Sequence, residues 1–170
     1  MSHHTRRMDD NGLAGEGKGS VLLVDDDPHI LKVGCKAIRQ IGFEAREASS
    51  LSEAVEVLTS HRRISLVISD VQMPGGSGVE LLSKMEGDSD WSSIPIALVT
   101  GGPLSDLPAG VLVLVKPFRP LQLQCVVVAN LGGKCPKAAL DTGVDKLGAC
   151  SPESCDIYGN EWSPMLRPTF

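Results

Sequence analysis

The stretch Ile64-Ser65-Leu66-Val67-Ile68-Ser69-Asp70-Val71-Gln72-Met73-Pro74-Gly75-Gly76-Ser77-Gly78 decides how the chain is read. Its apolar run, Leu66-Val67-Ile68, ends close to a single carboxylate, Asp70, and Pro74, Gly75, Gly76 and Gly78 then punctuate the backbone. A strand covered on both faces has this composition, and an acid followed by turn residues marks its C-terminal end. In an open parallel α/β sheet, sites form in the crevice outside the carboxyl ends of the strands, so Asp70 stands where chemistry is expected. The bland alternative is an aspartate that only caps the next turn. The flanking sequence separates the two.

Upstream, residues 21–24 (Val-Leu-Leu-Val) form a first apolar strand that runs into Asp25, Asp26, Asp27 and Pro28. Proline suits the first helical turn because its missing N–H has no partner there, and Asp27 is the natural N-cap. A helix is predicted to about Gln40, with Leu31, Cys35 and Ile38 on one stripe and Gly42 at its end. Gly34 weakens its interior and points to close packing. A second strand spans 43–48. Ser50-Leu51-Ser52-Glu53 reads as a capping box that opens a helix to about Ser60.

Downstream, Ser77-Gly78-Val79-Glu80 is another capping box, opening a helix through Met85. Residues 94–99 form a fourth strand before Thr100-Gly101-Gly102. Residues 101–110 carry Pro103, Pro108 and three glycines, so any helix there is short or absent. Val111-Leu112-Val113-Leu114-Val115 is wholly apolar, which predicts a central or doubly covered strand, and it ends in Lys116-Pro117-Phe118. A last helix is expected over 120–131, although Val126-Val127-Val128 is a poor helix former.

Strands alternating with helices predict a parallel sheet with right-handed crossovers. Polar groups then recur at four strand ends: Asp25 and Asp26, Asp70, Thr100 and Lys116. In a parallel sheet these ends share one edge. Clustered carboxylates repel one another unless a cation neutralises them. Oxygen ligands suit a hard ion such as Mg²⁺, which keeps several waters. A metal beside a lysine is a receptor for a phosphoryl group, and a nearby hydroxyl can report its arrival.

Composition narrows the class. The chain has 170 residues, 42% of them hydrophobic, enough for one packed domain with tails. A net charge of −5 gives no support for nucleic-acid binding, and no apolar run reaches membrane-spanning length. Cys35, Cys125, Cys135, Cys150 and Cys155 are odd in number and contain no CxxC pair, which reads as thiols in a reducing, cytoplasmic setting, without a zinc site. Residues 1–19 are expected to be a disordered leader. Residues 132–170 are expected to be a largely disordered tail, with a short helix near 137–140 and with Trp162 and Phe170 as its large apolar anchors.

Val-Asp-Asp-Asp-Pro at 24–28, Ser-Asp-Val-Gln-Met-Pro-Gly at 69–75, Val-Thr-Gly at 99–101 and Lys-Pro-Phe at 116–118 together resemble the receiver domain of two-component response regulators. The resemblance spans residues 20–131. It implies a CheY-like, flavodoxin-like five-stranded parallel sheet in the order 2-1-3-4-5, flanked by helices. It implies Asp70 as phosphoacceptor. Mg²⁺ would be held directly by Asp26, through water by Asp25, by Asp70 and by the Gln72 backbone carbonyl. Lys116 would pair with a phosphoryl oxygen, Thr100 would be the switch hydroxyl, and the Lys116–Pro117 bond would be cis. The partners implied are a histidine kinase or histidine phosphotransfer protein and a downstream protein, with no nucleic acid or membrane, and the chain would catalyse only its own phosphorylation and dephosphorylation.

Two features depart from the family pattern. Thr100 and Lys116 are closer in sequence than usual, consistent with a lost fourth helix, and Val113 stands where many receivers carry a switching aromatic. Other functions share parts of the pattern. An aspartyl-phosphate phosphohydrolase could use the Asp25-x-Asp27 pair, but His29 and the lack of room for a cap domain disfavour it. A degenerate receiver that binds partners without phosphorylation is disfavoured by the complete acidic set and Lys116. With no helix-turn-helix in sight, output is expected through protein contact, either from a stand-alone regulator or from a relative of hybrid-kinase receivers.

Overall fold

A computed structural model describes residues 19–61 and 63–132. The expectations for the leader, the tail cysteines and a helix at 137–140 lie outside the described residues. Five parallel strands form one sheet: β1 (Ser20–Val24), β2 (Glu44–Ala48), β3 (Ile64–Asp70), β6 (Ile96–Thr100) and β7 (Leu112–Val115), in the order β2-β1-β3-β6-β7. β4 (Gln72–Met73) and β5 (Gly76–Ser77) form a small antiparallel ribbon directly after Asp70, which the sequence reading treats only as a loop. The helices are α1 (Pro28–Gln40), α2 (Leu51–Ser60), α3 (Gly78–Gly87) and α4 (Pro120–Leu131).

The strands alternate their side chains between two cores. Val21, Leu23, Leu66, Ile68, Ala97, Val99 and Leu114 face α1 and α4. Leu22, Val24 and Val67 face α2 and α3. Period-two alternation in a sheet covered on both sides buries β1 and β3 at nearly every position. The caps form where the sequence puts them. Asp27 Oδ1 accepts from His29 N–H at 2.8 Å, and Ser50 and Ser77 Oγ accept from Glu53 and Glu80 N–H at 3.2 and 3.1 Å. The return arm of the first box differs from the expectation. The Glu53 carboxylate accepts from the N–H and hydroxyl of Ser49 instead of from the Ser50 backbone.

The apolar strand over 111–115 requires a correction. It is neither central nor doubly covered: β7 pairs only with β6 and forms the edge of the sheet. Leu114 is buried against the α1/α4 core, whereas Val115, on the opposite face, is 50% exposed. The reason lies in residues 101–110. Between β6 and β7 there is no α-helix, only a single 3₁₀ turn at Leu104–Asp106. Two prolines and three glycines cost too much helical stability for so short a segment, so one face of β7 lacks the helix that would cover it.

Close backbone approach fixes the sheet edge on which Asp70 stands. Gly78, the first residue of α3, lies so near β3 that a Cβ there would fall 2.4 Å from the Asp70 carbonyl oxygen and 3.0 Å from Ser69 Oγ. Only glycine permits that approach. Gly87, at the far end of the same helix, has nothing within 4 Å of such an atom. Gly78→Ala is therefore expected to destabilise the protein by about 1–3 kcal/mol, the usual cost of overpacking. Gly87→Ala should be neutral or stabilising by up to about 1 kcal/mol. Urea unfolding of both variants checks this, and equal stabilities would contradict the packing at Gly78.

Candidate functional site

The C-terminal ends of β1, β3, β6 and β7 lie along one edge because the strands are parallel and in close register. Val24 pairs with Ser69, Asp70 with Val99, and Thr100 with Val115. One residue beyond each pairing, the chain delivers Asp25, Asp70, Thr100 and Lys116 to a common crevice.

Lys116 holds the centre. Its Nζ donates to Asp25 Oδ2 at 2.9 Å and to Asp70 Oδ2 at 2.5 Å. Both carboxylates are buried, and the lysine side chain is about three-quarters covered. Asp25 also accepts the Asp27 N–H through Oδ1 at 2.9 Å, and Asp70 Oδ1 accepts the Gln72 N–H at 3.2 Å. Each acid is thus fixed by one backbone donor and by the shared ammonium. Burial pushes the Asp25 carboxyl above its ordinary pKa, with the Lys116 hydrogen bond opposing that shift. For Lys116, burial is the largest single influence and lowers its pKa. The hydrogen bonds and charges of Asp70 and Asp25 together outweigh it, so the ammonium is held above its ordinary value.

Asp26 completes the acidic group. A carboxylate oxygen from each of Asp25, Asp26 and Asp70 lies within 4.8 Å of the others. Asp26 is exposed, while the other two are buried, so the cluster has an inner wall and an open rim. Its donors are all oxygen, which fits a hard cation such as the expected Mg²⁺. Lys116 leaves the three acids short of full neutralisation, and a divalent ion would supply the balance.

Thr100 is buried at the same edge, and its Oγ1 accepts the Gly102 N–H at 2.9 Å. A hydroxyl used as an acceptor still has its own proton to donate. The following Lys116 N–H bonds to the Thr100 carbonyl at 2.7 Å, tying the hydroxyl and the ammonium to adjoining backbone. A Cβ built on Gly102 would lie 3.5 Å from Thr100 Oγ1 and 4.0 Å from Gln72 Nε2, so these groups share the mouth of the crevice. Asp27 is turned to the helix cap and is not part of the acidic group. The Lys116–Pro117 peptide is cis, as the resemblance implies. The sequence reading missed the role of Gly78 in setting the position of Asp70. Its signal was a glycine inside a capping box, where a helix former would serve the helix better.

Comparison with known proteins agrees with this geometry. Residues 21–126 match the family described as the response regulator receiver domain. The chain is 33% identical over 119 residues to the chemotaxis protein CheY1 of Helicobacter pylori, a match covering 66% of this chain and 96% of that protein. It is 28% identical over 156 residues to the phosphate regulon transcriptional regulatory protein PhoB of Escherichia coli, covering 88% of this chain and 67% of PhoB. Among solved structures, the chemotaxis protein CheY4 of Vibrio cholerae superposes with a TM-score of 0.61 at 27% identity, over 68% of this chain and 100% of CheY4. With its parallel sheet in the order β2-β1-β3-β6-β7 and its acids and lysine gathered at one edge, the chain belongs to the response regulator receiver domain family, the signalling modules of two-component systems.

Proposed function

We propose that this chain is a phosphoacceptor receiver that takes a phosphoryl group from a phosphohistidine onto Asp70. The observation that carries the reading is the Lys116 ammonium bridging Asp25 and Asp70 beside the three-carboxylate cluster. An Asp70 oxygen attacks phosphorus in line. A P–O bond forms, the P–N bond of the phosphohistidine breaks, and the imidazole leaves. Lys116 keeps its charge throughout and moves from the carboxylate to a phosphoryl oxygen. Thr100 donates its hydroxyl to another. Asp25, Asp26, Asp70 and the Gln72 backbone carbonyl would hold Mg²⁺, which when bound neutralises charge on the transferred group. Water later hydrolyses the acyl phosphate, so the chain catalyses only its own phosphorylation and dephosphorylation.

The partners in this reading are a histidine kinase or histidine phosphotransfer protein upstream and another protein downstream, in the cytoplasm. The receiver unit runs over residues 20–131, with 1–19 as leader and 132–170 as tail. PhoB is a transcriptional regulatory protein. For the present chain, a net charge of −5 favours output through protein contact. Among the described residues, no helix is long and apolar enough to cross a membrane.

Incubation with Mg²⁺ and acetyl phosphate should add one phosphoryl group to the chain, and Asp70→Asn should abolish it. Equal labelling of both proteins by intact-mass measurement would reject Asp70 as the acceptor. Mg²⁺ affinity measured by calorimetry should fall more for Asp26→Asn than for Asp27→Asn, because Asp27 is spent on the α1 cap. Affinity should also fall on acidification, starting at a higher pH than for an ordinary aspartate, since a proton competes with the metal at Asp25 and burial has raised that carboxyl's pKa.

The 101–110 segment shapes the response. With no helix to repack and no aromatic at Val113, engagement of Thr100 is expected to order the adjoining loop only. Hydrogen exchange with and without beryllofluoride should show protection concentrated at residues 100–105. A continuous protected helix across 101–110, or tight dimerisation through this face, would contradict the expectation.

A further inference from the structure

The sheet ends in two edges of opposite character. β2, at one edge, reads Glu-Ala-Arg-Glu-Ala over 44–48, and charged side chains of this kind discourage pairing with another chain. β7, at the other edge, reads Leu-Val-Leu-Val over 112–115, with no charge and no proline. Its four register pairs with β6 run without a shift, so no bulge turns this edge away. Among the described residues, no second strand pairs with it.

The hydrogen-bond pattern identifies the groups left over. The Lys116 N–H bonds to the Thr100 carbonyl. In a parallel ladder, successive residues direct their main-chain groups to opposite sides of the strand. Lys116, Leu114 and Leu112 therefore direct N–H and C=O toward β6, whereas Val113 and Val115 direct theirs to the open edge. The side chains alternate as well. Leu112 and Leu114 pack in the α1/α4 core. Val113 and Val115 lie on the other face, and the segment joining β6 to β7 forms only a 3₁₀ turn and no covering helix. Val115 is half-exposed, and so is Leu104 in that turn.

These groups specify the chemistry of an occupant. Open N–H and C=O groups in strand geometry are matched by another extended backbone, and an uncharged edge favours uncharged side chains beside it. Size separates a strand from a second copy. The edge is about 13 Å long at 3.3 Å per residue and about 10 Å deep, on the order of 130 Å². A stable dimer buries about 800 Å² on each partner. The edge is too small to hold two folded copies together, but an added strand gains main-chain hydrogen bonds from a site of this size.

We propose that β7 accepts an extended segment of a partner protein as a sixth strand of the sheet. The segment is uncharged where it pairs and apolar at alternate positions, so that it covers Val113 and Val115 while bonding to their main-chain groups.

The test titrates the full, unphosphorylated chain with a blocked eight-residue peptide of alternating valine and threonine, with a lysine at each end. Amide exchange followed by NMR should slow at least tenfold at Val113 and Val115 and stay unchanged at Leu114, whose N–H already faces β6. The same peptide N-methylated at every valine and threonine keeps the side chains but loses the donors, and should protect neither residue. Val115→Lys, at an exposed position, puts a charge on the edge and should weaken peptide binding at least tenfold. No protection at millimolar peptide, or equal protection by the N-methylated peptide, would overturn the proposal. So would Val113 and Val115 amides already as protected as Leu114 in the free monomer, which would assign the edge to another segment of this chain. Protection that appears without peptide, and only where light scattering finds a dimer, would assign it to a second copy.

Discussion

The Lys116 ammonium between Asp25 and Asp70 is the interaction on which the functional edge of this protein depends. Two buried carboxylates facing each other would drive one another's pKa upward or force the strand ends apart. A single cation hydrogen-bonded to both lets β1, β3 and β7 end in the same crevice. The residues joined are 91 and 46 positions apart. Their meeting therefore requires the whole sheet, with its order β2-β1-β3-β6-β7, to be in place. The same bridge keeps the lysine charged and hydrogen-bonded at the crevice. Removing one member of such a buried set leaves an uncompensated charge, which is why the site and the fold stand or fall together.

Around that bridge the backbone supplies the precision. Asp25 and Asp70 each accept an N–H from two residues further on, so each carboxylate has one oxygen anchored and the other turned to Lys116. Gly78 lets α3 start against the Asp70 carbonyl, and Ser69 fills the remaining space with its hydroxyl bonded to the same oxygen at 3.0 Å. A loop alone would not hold a carboxylate oxygen so closely. Here it sits at the end of a strand buried along nearly its whole length.

The loss of a helix between β6 and β7 changes the surface more than the site. Thr100 and Lys116 remain linked through the Lys116 N–H, because ladder pairing of β6 and β7 continues to Thr100 and Val115. What changes is the outer face of β7, where Val115 is exposed, as is Leu104 in the turn between β6 and β7. The α4 side has the opposite character, with Leu123 to Val128 all buried. The two faces of the edge strand thus differ, Leu114 being buried in the α1/α4 core and Val115 open to solvent.

Residue order alone determined the order of the main strands and helices, the caps at Asp27, Ser50 and Ser77, the missing helix over 101–110, and which polar residues stand at the strand ends, because each is written in local composition. Apolar runs, N-cap side chains and helix-breaking residues act over a few positions and can be read where they stand. What only the tertiary structure decided was long-range. The apolar run at 112–115 reads as a covered strand, but its place at the sheet edge depends on which strands pair and on a helix that does not form. Val126-Val127-Val128 disfavours a helix locally, yet burial of those side chains makes them helical. The glycine at 78 reads as a weak point in a capping box, and only the distance to the Asp70 carbonyl explains it. The sharing of one lysine between two acids is likewise invisible in the order of residues, since it arises only when parallel strands bring their ends to a common edge.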